Sequence, residues 1–508
     1  MAKAKPSHSS SVSMGLFDLN QDVLFDIISH LPTRDALAFS LTARRLCDIS
    51  RQHALSDVSI RGSQRLAKFR AFILAGHDAR LQWLRKLSVS CSYATDDIHQ
   101  SAQNIAFILA QATSLVDLSV DPLELLLQYE FRVGTALAAL SGLRRLQLFS
   151  LGDMSFQMLQ KLQSDPISLS FSTRSTMVTC ADLLSQLKAF QRVECLELEL
   201  LSRVPSRLHA HNAPLEWPSV RQLFVSPCEA SIEFLAAAFP NVRALHLRDL
   251  FIQNIKNNQS TAGWQNLDYL EVHALLFQHW RISFPIHYVS IHSVLAIPLE
   301  LSLAGPGRYS DADLANTLDV AHNASPRVIA LSIMAYQKLV NTFWTSLVKS
   351  APRLRCIEVE LCECHAKKDF GSQLRTLIET LAPVFASLRN LTHIQICVNS
   401  GFQEFMSIGG ARELRLALAP SPGIARDLAN ILIAQIPTLR LVSVGFGVRE
   451  RRQNWDALPF DGDFWWWKVV SEGDQRAAQE VDTSLGELFR AQYCSTQYDP
   501  TSEGESVG

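Results

Sequence analysis

From Leu84 to Val444 one arrangement of apolar and polar positions keeps returning: apolar, two variable residues, apolar, one variable residue, apolar. It reads LRKLSV from Leu84, LVDLSV from Leu115, LRRLQL from Leu143, VECLEL from Val193, VRQLFV from Val220 and VRALHL from Val242. It continues as LDYLEV from Leu267, IHYVSI from Ile286, VIALSI from Val328, LRCIEV from Leu354, LTHIQI from Leu391 and LRLVSV from Leu439. Alternation over the last three positions places two apolar side chains on one face of a short strand. Stretches between the phrases, such as IEFLAAAF from Ile232, carry helical periodicity instead. Strands that return through a helix pair in parallel, with right-handed crossovers. Six spacings between successive starts fall between 22 and 31 residues, which predicts a stacked repeat. The wider gaps predict degenerate units: ISLSF from Ile167, LELSL from Leu299 and GGARELRLAL from Gly409.

A different pattern precedes the repeat. In residues 19–49, LNQDVLFDIISHLPTRDALAFSLTARRLCDI, the side chains of Val23, Leu24, Ile27, Ile28 and Leu31 recur on one helix face. Pro32 cannot continue that helix. Thr33 and Asp35 supply a capping oxygen and first-turn negative charge for a second helix carrying Leu37, Leu41 and Leu46. Two short helices this apolar cannot bury everything on each other, so part of their surface is left for another body.

The order Leu19-x-x-Asp22-Val23-Leu24, Ile27-Ile28-x-x-Leu31-Pro32, Asp35-x-Leu37 and the Arg44-Arg45 pair resembles an F-box. It departs from the family at Asn20, usually proline, and at Ala43 and Leu46, where cysteine and an aromatic are usual. The six-residue phrase resembles the leucine-rich repeat, without the asparagine that normally follows the strand. Together they resemble the F-box proteins with irregular leucine-rich repeats of filamentous fungi. The resemblance implies an α/β chain: a helical F-box followed by a right-handed leucine-rich-repeat-like solenoid of short parallel strands. The expected boundaries are a disordered tail at 1–14, the F-box at 15–60, the solenoid at 61–450, a C-terminal cap at 451–493 and a disordered tail at 494–508. In the cap, FWWWKVV from Phe464 offers Trp465, Trp466 and Trp467 to cover the last apolar layer.

The same resemblance implies a non-catalytic substrate receptor of an SCF-type cullin-RING ubiquitin ligase, acting in protein degradation. Leu19, Val23, Leu24, Ile27, Ile28, Leu31, Pro32, Leu37 and Leu41 would bind a Skp-type adaptor, and through it a cullin. Strand parity turns Glu197, Glu199, His246, Arg248, Glu271, His273, Glu358 and Glu360 away from the core, onto an acidic face that would bind a target protein. A non-ligase interaction scaffold on the same solenoid is the alternative.

Composition narrows the field further. Of 508 residues, 47% are hydrophobic and 19% charged, so the chain can bury a large core. Lys plus Arg number 47 against Asp plus Glu 49, a balance that offers nucleic acid or an anionic membrane no attracting field. No apolar run reaches the length of a membrane span, and the start MAKAKPSHSSSVSMG lacks the apolar stretch of a signal peptide. The ten cysteines sit mostly in apolar runs, as in a reducing cytoplasmic or nuclear setting. Cys362, Cys364 and His365 lack a second ligand pair at zinc-site spacing, so no metal or other cofactor is expected. No phosphate loop, H-E-x-x-H or G-x-S-x-G motif occurs, and no catalytic residue is assigned.

Overall fold

A computed structural model describes residues 19–498 apart from 76–77, 92–94, 174–183, 185–186, 188–189, 201–215, 227–231, 248–263, 265, 274–275, 278–279, 293–310, 335–340, 363–369, 400–421, 449–460 and 473–474. The chain divides into two compact units, Met1–Arg203 and Val204–Gly508.

The first unit opens on three helices, α1 (Gln21–Ser29), α2 (Thr33–Ser40) and α3 (Arg44–Ser56). Asn20 starts α1: its Oδ1 accepts the amides of Asp22 and Val23 at 2.6 and 3.3 Å. Helix α2 begins after Pro32 with no side-chain cap, so Thr33 does not play the capping role expected of it. Nor does α2 reach Leu46. The Ser40 and Thr42 hydroxyls donate back to the carbonyls of Leu37 and Phe39, Ala43 is extended, and Leu46 belongs to a separate helix. Leu24, Ile28, Ala36, Leu46 and Ile49 form the core of this module, with Leu19, Leu31, Phe39 and Ala43 packed against it.

Strand β1 (Asp57–Arg61) follows α3 without a linker, so the parallel array starts at 57 and not at the boundary of 61 read from the sequence. It continues through α4 (Ser63–Leu74), β2 (Lys86–Ser90), α5 (Thr95–Gln111), β3 (Asp117–Asp121), α6 (Leu123–Tyr129) and α7 (Arg132–Ala139). Then come β4 (Arg145–Leu151), α8 (Asp153–Leu159), β5 (Ser168–Thr173) and β6 (Cys195–Leu200). Each strand pairs in parallel with the one before it, and the recurring phrase fixes the alignment. Val58, Leu87, Leu118, Leu146, Leu169 and Leu196 fall in one row, and Ile60, Val89, Val120, Leu148, Phe171 and Leu198 in the next. The degenerate phrase at Ile167 is therefore a true strand, with Leu169 and Phe171 as its inward pair.

The second unit repeats the scheme: β7 (Gln222–Ser226), α9 (Ile232–Ala238), β8 (Ala244–Leu247), β9 (Tyr269–Val272), β10 (Tyr288–His292), α10 (Asp311–Ala324) and β11 (Val328–Met334). It goes on with α11 (Asn341–Ser350), β12 (Cys356–Cys362), α12 (Phe370–Phe385), β13 (His393–Asn399), α13 (Pro422–Gln435) and β14 (Leu441–Val448). One buried row runs Leu223, Leu245, Leu270, Val289, Ile329, Ile357, Ile394, Val442. This row shifts the VIALSI phrase: its inward pair is Ile329 and Leu331, two residues out of step with a start at Val328. The expected units at Leu299 and Gly409 lie outside the described residues.

A shared backbone device accompanies the apolar rows. Just before many of the parallel strands one carbonyl accepts two amides from the following repeat. The Arg327 oxygen takes Arg355 and Cys356 at 2.8 and 3.1 Å, and the Arg355 oxygen takes Thr392 and His393 at 2.8 and 3.1 Å. Arg85, Val116 and Arg144 do the same in the first unit.

After β14 the pairing reverses. Strands β15 (Asp461–Glu472) and β16 (Gln475–Val481) are antiparallel, with Val442 opposite Trp467 and Ser443 opposite Trp466. Trp466 and Trp467 are buried, and Trp465 keeps part of its surface. Helix α14 (Thr483–Tyr493) follows, capped by Asp482, whose Oδ1 accepts the Leu485 amide at 3.0 Å. Residues 494–498, expected to open a disordered tail, are ordered against the second unit. Cys494 and Ser495 are half-buried and Tyr498 is buried against Tyr493, because Arg355 donates to the Tyr498 carbonyl at 2.7 Å and Arg440 reaches its hydroxyl at 3.3 Å.

Ile357 lies in the middle of the buried row, between Ile329 and Ile394, and all three are inaccessible to solvent. Ile357→Ala is expected to lower the unfolding free energy of the second unit by about 2–5 kcal/mol in urea denaturation. A change below about 0.5 kcal/mol, the range of surface substitutions, would contradict this packing.

Candidate functional site

The sequence reading placed candidate residues on two surfaces. On the N-terminal module the apolar positions separate into two groups. Leu24 and Ile28 are wholly buried in the module's own core, so they hold the helices together and offer no surface for adaptor contact. Leu19, Ile27 and Leu31 are half-buried, and Pro32 is exposed. The outward set is Val23, Phe25, Leu37 and Leu41, with Leu41 82% exposed. Phe25 escaped the sequence reading because it lies off the apolar stripe by which the helix face was recognised.

The strand face of the second unit differs from its expectation. A row of rings crosses adjacent strands. Phe224 stacks on His246 at 3.8 Å between centroids, His246 meets Tyr269 at 4.7 Å, and Tyr269 stacks on Tyr288 at 4.7 Å. Glu271 is buried under this row: its Oε2 lies 2.8 Å from His246 Nδ1 and accepts the Tyr269 hydroxyl at 3.2 Å. Tyr288 reaches two strands along and donates to Glu358 Oε2 at 2.7 Å.

Glu358 is buried as well, and helix α14 supplies its counter-charge. Arg490 Nε and Nη2 donate to the two carboxylate oxygens, each at 2.9 Å, a bidentate geometry. Burial raises the cost of the Glu358 charge, but the guanidinium outweighs it, and the carboxyl titrates below its ordinary range. The expectation that Glu271 and Glu358 present an acidic surface to a target is therefore overturned. Parity did turn them away from the core, but the residues covering that face are the chain's own. Reversing Glu358 to lysine would set two cations against each other in a buried place.

The remaining positions are distributed as follows. Glu197 and Glu199 lie half-buried on β6 of the first unit, and His273 is half-buried just past β9. Glu360 is half-buried and accepts the Ser332 hydroxyl at 2.9 Å. Arg248 lies outside the described residues, as do Cys364 and His365 of the C-x-C-H stretch.

Beside the Arg490–Glu358 pair the fold assembles a group that sequence spacing did not disclose. Cys356 on β12 and His393 on β13 are register partners, and Cys494 closes the end of α14. Their ligand-capable atoms all lie within 4.8 Å of one another. The Cys494 carbonyl also accepts from His287 Nε2 at 2.7 Å, which holds the helix end against β10. The cysteines are 138 residues apart in the chain, so no local motif could have revealed them.

Among known families, the F-box domain matches residues 16–56, ending where β1 begins. No curated protein matches the chain. The three-helix module is thus an F-box domain, a class that generally docks on Skp-type adaptors and serves as a receptor in ubiquitin ligases. Among the described residues no helix is long and apolar enough to cross a membrane.

The Arg490–Glu358 pair is expected to hold α14 in place. Glu358→Gln should cost about 2–3 kcal/mol, less than a fully enclosed pair, because the Arg490 side chain is 32% exposed. A double-mutant cycle with Arg490→Gln is expected to give a coupling above about 1 kcal/mol, and a coupling near zero would show that other contacts hold the helix.

Proposed function

We propose that this chain is the substrate receptor of an SCF-type cullin-RING ubiquitin ligase. The observation that carries the reading is the F-box domain at residues 16–56 with its outward apolar side chains Val23, Phe25, Leu37 and Leu41. A Skp-type adaptor would cover that surface and connect the chain to a cullin. The chain itself makes and breaks no bond in this reading. Its contribution is positional: a held target meets the ubiquitin-carrying enzyme at a raised effective concentration.

In this reading each parallel array is a stretch of irregular leucine-rich-repeat solenoid, and the β15–β16 hairpin with Trp466 and Trp467 serves as its C-terminal cap. Matching apolar rows and strand-after-strand pairing within each unit support it. Target contact falls to strand-face residues that keep surface, Glu197, Glu199, His273 and Glu360. The ligase would work in the cytoplasm or nucleus, where Skp-type adaptors and cullins meet their targets.

The test uses residues whose loss leaves the fold intact. Leu37 and Leu41 are 46% and 82% exposed, so Leu37→Ala with Leu41→Ala should shift the module's stability by no more than about 0.5 kcal/mol. If the adaptor packs there, the double variant is expected to weaken adaptor binding by at least about tenfold in calorimetry or pull-down. Undiminished binding would remove the surface from the interface, and wild-type protein that recruits neither adaptor nor cullin would end the ligase reading.

A further inference from the structure

We propose that Cys356, His393 and Cys494 form a binding site for a thiophilic divalent cation, zinc above all, that fastens the C-terminal helix onto the strand face. The three residues come from β12, β13 and the end of α14, and their ligand atoms lie within 4.8 Å of one another. In a tetrahedral site with metal–sulfur distances of about 2.3 Å and metal–nitrogen distances of about 2.0 Å, ligand atoms stand roughly 3.5–3.8 Å apart. Closing the trio onto an ion therefore needs movements of about an ångström or less, within the reach of side-chain torsions.

His393 gives the independent observation. Its side chain is wholly buried, and neither ring nitrogen makes a hydrogen bond of acceptable geometry, although the Cys494 side chain lies beside the ring. A buried imidazole in that condition is costly unless something binds it. A metal ion would satisfy a ring nitrogen and take both sulfurs as thiolates, in place of the weak contacts of Cys356 with the Tyr493 carbonyl and of Cys494 with Glu358. A disulfide between Cys356 and Cys494 would join the same elements but leave the ring as it is. Charge points the same way: a divalent cation with two thiolates is neutral, as a buried site requires. Arg490 is already balanced by Glu358, whose Oε1 lies 3.8 Å from the Cys494 sulfur and within reach of a fourth position. Two thiolates and an imidazole select zinc over magnesium or calcium, which prefer oxygen.

The experiment takes full-length protein, reduced and loaded with zinc, then dialysed against metal-free buffer, and measures bound metal by plasma mass spectrometry. One zinc per chain is expected. Cys494→Ser should lose it, and Cys364→Ser should keep it, because only the first removes a ligand of this trio. Cobalt in place of zinc should give thiolate charge-transfer bands and the intense visible bands of a tetrahedral site, both absent from Cys494→Ser. Zinc should also raise the thermal midpoint of the wild type and leave that of Cys494→Ser unchanged. Wild-type protein that takes up no metal, or Cys494→Ser that retains a full equivalent, would overturn the proposal. So would a Cys356–Cys494 disulfide found by peptide mapping of the metal-free protein as purified. Should Cys494→Ser not fold, the cobalt spectrum of the wild type still decides, since a spectrum without thiolate bands refutes the site.

Discussion

Register is the constraint on which the rest of this structure depends. Each parallel strand must bury two apolar side chains at alternate positions beside the equivalent pair of its neighbour, as Ile329, Ile357 and Ile394 do. A slip of one residue would turn both to solvent, so burial locks the alignment. The forked carbonyl ahead of many strands, as at Arg327 and Arg355, pins the same alignment from the backbone side. With strands held this tightly, the chain between them is free to vary. That is why spacings differ so widely among repeats while the inward phrase stays recognisable.

A parallel array leaves its strand face open, and in the second unit the protein fills part of that opening with itself. The ring row from Phe224 to Tyr288 leads to Glu358, and Glu358 holds Arg490 of α14. Tyr498 and the end of α14 then rest on side chains at strand entrances, namely His287, Arg355 and Arg440. An outward charged residue on a repeat strand is thus not by itself a binding residue. Here two such glutamates serve internal cohesion, and recognition surface has to be sought where side chains keep contact with water.

The F-box divides its apolar residues along similar lines. One helix face supplies both the interior, through Leu24 and Ile28, and the rim, through Ile27 and Leu31. Leu37 and Leu41 stand outside because α2 is only eight residues long and its polar exit turns the chain back before Leu41 can be covered. A short helix with a full apolar stripe but few neighbours necessarily leaves apolar surface exposed, which is what a docking module needs.

Local periodicity was enough to place most of the parallel strands between β2 and β14, their inward pairs and the helical start of the chain, because alternation and helical spacing are properties of neighbouring residues. Even the irregular strand at Ile167 was visible, whereas VIALSI was misplaced by two positions because Val328, Ile329, Leu331 and Ile333 fit the phrase in more than one register. The end of α2, the start of the array at Asp57 and the burial of Tyr498 lay beyond the pattern, since each depends on which partner the backbone or ring meets. The same holds for function. The F-box was legible as a motif of some thirty residues, but strand parity gave only the direction of Glu271 and Glu358, not what would cover them. Only the tertiary structure could bring Arg490 to Glu358 across 132 residues, or Cys494 to Cys356 and His393, because chain folding alone sets distances between residues so far apart in sequence.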